Sequence, residues 1–118
     1  HLTLLGNKVK KKQLDFIYTI IKYEVKYHQN VILTGDFNMT VKNKSFENFI
    51  ADLEKLGINR VTNDIATCRG IKKPIDHVFI SDNFELLNKE IVETSISDHK
   101  SIIVKSRFLP LTTIPFLI

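Results

Sequence analysis

Val31-Ile32-Leu33-Thr34-Gly35-Asp36-Phe37-Asn38 is the stretch on which the fold turns. Val31 to Thr34 is short and continuously apolar apart from its last residue, the pattern of a strand covered on both faces. It runs directly into Gly-Asp-Phe-Asn. In extended backbone, residues two apart share a side. Asp36 and Asn38 are therefore expected to face one ligand while Phe37 turns into the core. Gly35 is expected to let backbone or substrate approach closely. A carboxylate beside an amide suits metal-assisted phosphoryl chemistry: the carboxylate orients a water or cation, and the amide donates to a phosphate oxygen. The same four residues also make an ordinary turn after a strand.

Upstream, Val9 to His28 reads as a helix, with Leu14, Ile17, Ile21 and Val25 at three- and four-residue steps. Phe16, Ile20, Tyr23 and Tyr27 widen that stripe, so the helix is expected to pack on a sheet through a broad face. His1 to Leu5 reads as a strand end. Downstream, Ser45 is the expected N-cap of a second helix whose apolar face carries Phe46, Phe49, Ile50, Leu53 and Leu56, with Gly57 closing it. Ile58 to Val61, Ile75 to Ile80, Phe84 to Thr94 and Ser101 to Ser106 are strand candidates. Thr62 to Pro74 reads as a loop, and the apolar tail 108–118, with Pro110 and Pro115, has no period. The alternation of strands and helices predicts an α/β fold. Val31–Thr34, Ile75–Ile80 and Ile102–Lys105 are expected in one sheet with the first helix packed on it. There are few strands for a complete enzyme of this kind.

The 118 residues suffice for one domain. An apolar content of 43% with 25% charged residues excludes a disordered tail. The lone Cys68 excludes an internal disulfide and a cysteine-based zinc site. No secretory signal is visible and no apolar run approaches the ~20 residues of a membrane span. A cytoplasmic setting is the favoured expectation. The first residue is His1 rather than Met, and upstream sequence is expected. The net charge of +4 favours anionic partners, nucleic acid or phospholipid headgroups, although Lys8, Lys10, Lys11 and Lys12 also fit a solvated helix start.

Two further clusters carry chemistry. Ser97-Asp98-His99, in a loop before an apolar strand, offers a base or transition-state donor beside a possible metal ligand. Asp76 interrupts the apolar run Pro74-Ile75-Asp76-His77-Val78-Phe79-Ile80, where a buried carboxylate needs a partner. If that partner is His99, Asp76 fixes its tautomer and orientation. His77 should point to the opposite side of its strand and pack. His28 is expected as a helix-dipole contact, Cys68 as an ordinary thiol, and Tyr18, Tyr23 and Tyr27 as helix packing.

Taken in order, the chain reads His-Leu, a basic amphipathic helix, Gly-Asp-Phe-Asn, Ile-Asp-His-Val-Phe-Ile-Ser, then Ser-Asp-His before a last strand. Over 1–107 this resembles the C-terminal half of the endonuclease/exonuclease/phosphatase superfamily, the deoxyribonuclease-like metal-dependent hydrolases. The resemblance implies part of a four-layer α/β/β/α sandwich whose N-terminal half, with its metal-binding Glu and an Asn, has no counterpart here. It implies that Asp36 positions the attacking water and Asn38 binds the scissile phosphate. Asp98, with Asp36, would lie at a Mg²⁺ or Mn²⁺ ion. His99 would act as base or phosphate stabiliser, Asp76 would orient it, and His1 would contact the phosphate. The implied activity is hydrolysis of a phosphoester, first of DNA or RNA. Alternatives are a phosphoinositide or other phospholipid headgroup, a mobile-element endonuclease, or a non-catalytic remnant.

Overall fold

The computed structural model describes residues 1–28, 30–62 and 66–109. In chain order the elements are α1 (Asn7–Tyr27), β1 (Ile32–Asp36), α2 (Lys44–Lys55), β2 (Ile58–Arg60), β3 (Asp76–Ser81), β4 (Phe84–Val92) and β5 (Ser101–Phe108). β1, β3 and β2 form an antiparallel sheet with β3 in the middle. Residue Leu2 extends the β1 edge by donating its N–H to the Asp36 carbonyl at 2.8 Å.

Both helices cover one face of this sheet. Leu14 and Ile21 of α1 and Phe46, Phe49 and Leu53 of α2 form one core with Val31, Phe37, Met39, Ile58 and Phe79. The rings of Phe37, Phe46, Phe49 and Phe79 meet at 5.3–6.3 Å, edge-on or tilted except for the stacked Phe46–Phe49 pair. His77 belongs to this side too. It is 1% exposed, with its ring 4.6 Å from that of Phe46. Its Nε2–H donates to the Met39 carbonyl at 2.8 Å while Nδ1 accepts from Arg60 at 3.3 Å, the tautomer the two partners require.

The α2 cap differs from the expected one. Asn43, not Ser45, is the N-cap, its side chain accepting from the Phe46 N–H at 3.1 Å. An asparagine two residues earlier supplies the same oxygen and lets Ser45 join the first turn. Gly57 ends the helix at φ +78, where a Cβ would sit 2.8 Å from an Asp82 carboxylate oxygen, so this turn requires glycine. At Gly35 a Cβ would meet only the Phe37 ring at 3.9 Å, and the expected close approach is not what the glycine serves.

Two expectations about packing fail as well. The last strand does not join the first sheet. β4 and β5 pair with each other as a separate two-stranded ribbon, because β3 already has a neighbour on each side and Ile91 and Ile102 lie close in sequence. β5 also runs through Phe108, beyond the expected boundary at 107, and the rest of the tail, 110–118, lies outside the described residues. The second failure concerns α1. Phe16, Ile20, Tyr23 and Tyr27 do not widen the packed face. Phe16 is 68% exposed and Tyr23 and Tyr27 are similarly open, because the core contacts run through Leu14, Ile17, Tyr18, Ile21 and Val25 on another side of the cylinder.

The second face of the three-stranded sheet carries no helix. Register places Ile32 opposite Ile80, Thr34 opposite Val78 and Asp36 opposite Asp76 on that face. Ile32 is 57% exposed. No residue of the β4–β5 ribbon is buried. Among the described residues no helix is long and apolar enough to cross a membrane.

Candidate active site

The site forms at the end of the β1–β3 pair, where the chain places two carboxylates directly across from each other. Asp36 and Asp76 are register partners, with side chains only 12% and 15% exposed. Like charges so placed repel. His99 relieves the repulsion. Its Nδ1 lies 2.7 Å from Asp76 Oδ2, and its Nε2 lies 3.6 Å from Asp36 Oδ2. The imidazole therefore sits between two carboxylates contributed by neighbouring strands. Thr67, 1% exposed, donates its hydroxyl to the same oxygen of Asp76.

His99 reaches this position through a short antiparallel bridge with Cys68. Arg69 N–H donates to the Asp98 carbonyl at 2.5 Å and Lys100 N–H to the Thr67 carbonyl at 2.6 Å. Within its own loop the His99 N–H donates to Ser97 Oγ at 3.1 Å. The loop is thus tied down on both sides of the histidine.

Asp36 and Asn38 come together by a turn rather than by strand alternation. β1 ends at Asp36, and Asn38 adopts φ 51, a left-handed conformation that asparagine tolerates. The Asn38 N–H donates to Asp36 Oδ1 at 2.9 Å, and its side-chain amide donates to the Leu2 carbonyl at 2.6 Å. Phe37 points into the core between them, 2% exposed. His1 is largely exposed and its Nε2 lies 3.4 Å from Asp36 Oδ2. Asp36, Asn38, Asp76, His99 and His1 are thus gathered at one end of the sheet. Asp98 is exposed and groups instead with Cys68 and His99.

Two contributors had no legible signal. Lys10 donates Nζ to the Asn38 carbonyl at 3.1 Å, singled out from its lysine run only by the angle at which α1 crosses the sheet end. Thr67 precedes Cys68 in a polar loop and reaches Asp76 across nine residues.

The electrostatics follow from this geometry. The hydrogen bond to Asp76 raises the His99 pKa; partial burial pulls it back, and the charges of Asp76, Asp36 and Asp98 raise it further. His99 therefore stays protonated above the ordinary imidazole range. Because the folded value is raised, the stabilisation from this ion pairing is complete below the unfolded value of about 6.5 and is lost as pH rises through the folded one. Titrating the imidazole resonances by NMR should place His99 above the ordinary imidazole value, and Asp76→Asn should remove most of the difference. An unshifted His99 in the native chain would contradict the pairing. Burial, then the charges of Asp98, Asp76 and Asp36, push the Cys68 thiol up, which suppresses its reactivity.

The other candidates fall outside this cluster. His28 caps α1 and pairs with Glu24 at 3.7 Å. Tyr18 packs against the core, whereas Tyr23 and Tyr27 contact each other at 5.0 Å on the open side of α1. Arg69 lines a cleft of about 250 Å³ with Glu93, Thr94, Ser97, Asp98, His99 and Lys100.

A three-stranded antiparallel sheet with two helices on one face and a carboxylate–histidine cluster at its end defines an α/β fragment, and its fold is that of about half of an endonuclease/exonuclease/phosphatase domain. Two solved structures of that family match it. One, from Bacteroides thetaiotaomicron, has a TM-score of 0.70 and 20% identity, over 90% of this chain and 46% of that one. The other, from Bacteroides vulgatus, has a TM-score of 0.70 and 21% identity, over 92% and 47%. A mannosyl-6-phosphatase of Bacteroides thetaiotaomicron VPI-5482 matches at a TM-score of 0.67 and 19% identity, over 92% and 49%. The chain spans about half the length of each. No protein-family model matches the chain, and no curated protein does.

Proposed function

We propose that this chain supplies the reacting groups of a phosphoester hydrolase whose domain is completed by a second half. The observation that carries the reading is His99 held at 2.7 Å by Asp76 and facing Asp36 through its other nitrogen. Asp76 accepts the Nδ1–H and so fixes which nitrogen is presented to substrate. Asp36 accepts a proton from the attacking water, whose oxygen forms the new bond to phosphorus. As the bond to the leaving oxygen breaks, the raised pKa of His99 lets its Nε2–H supply a proton there or neutralise the phosphoryl oxygens. Asn38 and His1 flank the same carboxylate and would hold non-reacting phosphate oxygens, Asn38 through the amide hydrogen not given to the Leu2 carbonyl.

The donor set fits a hard divalent cation. Ligand atoms of Asp36, Asp76 and His99 all lie within 4.8 Å of one another, and Mg²⁺ or Mn²⁺ is commonly held by one or two carboxylates with water and substrate phosphate. Asp36 is the carboxylate best offered to it, since Asp76 is committed to Thr67 and His99. Asp98 would join through the loop it shares with His99. Such a cation supplies positive charge to the phosphoryl oxygens and lowers the pKa of bound water.

The substrate we favour is a nucleic acid. Lys10 reaches the Asn38 carbonyl, and Lys8 and Lys12 add positive charge to the same first turns of α1, where Lys11 is paired with Asp15. A second reading, a phosphate monoester on a sugar, draws on the mannosyl-6-phosphatase neighbour. A panel of single- and double-stranded DNA, RNA, phosphoinositide and hexose 6-phosphate, assayed with Mg²⁺ or Mn²⁺ on the completed domain, separates them. We expect EDTA-sensitive cleavage of a nucleic acid. Turnover of the hexose phosphate alone would move the assignment to the second reading, and no turnover of any phosphoester would reject both.

A further inference from the structure

Cys68 has no part in the reaction just described, yet it does not stand alone. Its Sγ, a carboxylate oxygen of Asp98 and an imidazole nitrogen of His99 lie within 4.8 Å of one another. We propose that Cys68, Asp98 and His99 form a site for a thiophilic divalent cation of the Zn²⁺ class, and that its occupation withdraws His99 from the reaction centre. A single cysteine rules out a multi-thiolate site, but it leaves a mixed one open.

The backbone is already built for it. The Cys68–His99 bridge, with Arg69 N–H on the Asp98 carbonyl and Lys100 N–H on the Thr67 carbonyl, holds the two ligand-bearing loops side by side. The Cys68 thiol donates a long hydrogen bond, 3.7 Å to the Arg69 carbonyl, so little is lost when it turns. Tetrahedral ligation at about 2.0–2.3 Å needs donors roughly 3.5 Å apart. The exposed Asp98 side chain has the freedom to close that gap. The 250 Å³ cleft beside Asp98 and His99 leaves room for a water in the fourth position, the arrangement of an open three-ligand zinc site. Sulfur with imidazole nitrogen selects zinc or cadmium over magnesium, which is held by oxygen. The site therefore differs in chemistry from the Asp36–Asp76–His99 group. It shares His99 with that group and Asp98 with the hard-cation site proposed above, and the shared ligands make the two occupations compete.

Binding is a property of this chain, whereas the withdrawal of His99 rests on the proposed hydrolysis, so the two are tested separately. Cd²⁺ titrated into the 118-residue chain should give a one-to-one thiolate-to-metal charge-transfer absorption. That band should vanish in Cys68→Ser, weaken at least about tenfold in Asp98→Asn and in His99→Gln, and resist a large excess of Mg²⁺. Cd²⁺ should also protect Cys68 of the unaltered chain from alkylation, a readout that survives if a variant folds poorly. Absence of both signals in a natively folded chain would reject the site. An undiminished band in Asp98→Asn and His99→Gln would show binding by the thiol alone and reject it equally. On the completed domain, the ratio of turnover with and without Zn²⁺ should fall well below one and recover in Cys68→Ser. A band without that inhibition keeps the site and rejects the competition. A completed domain without turnover, but with the band intact, would reject the hydrolase reading and leave the cation site standing.

Discussion

Asp76→Asn should lower kcat of the completed domain by about 10²–10⁴, with KM little changed, while the fold is retained. The replacement is isosteric. With its NH2 at the position that Thr67 and His99 share, the Thr67 hydroxyl can turn to accept from it, so the local packing survives. Its amide, however, presents an N–H where His99 Nδ1 requires an acceptor. The imidazole is then driven to the neutral tautomer with Nδ1 unprotonated and the proton on Nε2, its pKa drops, and Nε2–H becomes a far weaker acid at the pH where the native histidine is a cation. His99→Ala should abolish turnover. The double variant should be no worse than His99→Ala alone, because the two residues act as one unit and their losses do not add. Steady-state kinetics on the three variants, with circular dichroism as the folding control, make the test. Near-native turnover in Asp76→Asn would show that the contact at 2.7 Å is structural only.

The part of this site legible in the sequence is the part that depends on strand position. Asp36 and Asp76 stand out because each interrupts or ends an apolar run, and a carboxylate at such a place demands a partner. Their pairing across β1 and β3 follows once both strands are recognised. Asn38 was legible as a participant but not in its conformation, since strand alternation would have continued where the backbone instead turns left-handed. Thr67 and Lys10 were illegible. Their contacts depend on how a loop folds back and how a helix crosses, and neither leaves a period in the chain.

The same division holds for the fold. The α1 pattern is strong enough to be found but too strong to be oriented. Leu14, Ile17, Ile21 and Val25 pack, while Phe16, Ile20, Tyr23 and Tyr27 supply a second apolar stripe that the described residues do not cover. β4 is uncertain in sequence for a concrete reason. A register shift between Leu86 and Asn88 breaks the alternation in mid-strand, so no single period of two runs through it. The strand after Ser-Asp-His was found, but its sheet was not, because apolar content does not say which edge a strand will meet.

The isolated 118-residue chain should show little or no phosphoester hydrolysis and should self-associate, and both defects should be corrected by the other half of the domain, supplied in cis or as a separate polypeptide. The physical grounds are on the surface. The sheet face opposite the helices exposes Ile32, and the β4–β5 ribbon, of nine and eight residues, buries none of them. A two-stranded ribbon without a covered face is marginal in water, and its open edges invite pairing with another chain. The chain also accounts for under half the length of each structure it matches, 46–49%. A second sheet laid against Ile32 and half-buried Val78, and extended by the ribbon, would remove the apolar exposure and close the site over Asp36 and His99. Sedimentation of the isolated chain should show association that grows with concentration and disappears on adding the other half. Turnover should rise at least about a hundredfold on the same addition, as expected when positioning and water exclusion are restored, and His99→Ala should cancel the rise. Robust EDTA-sensitive turnover by the chain alone, lost in Asp36→Ala, would show that the site is complete without its companion.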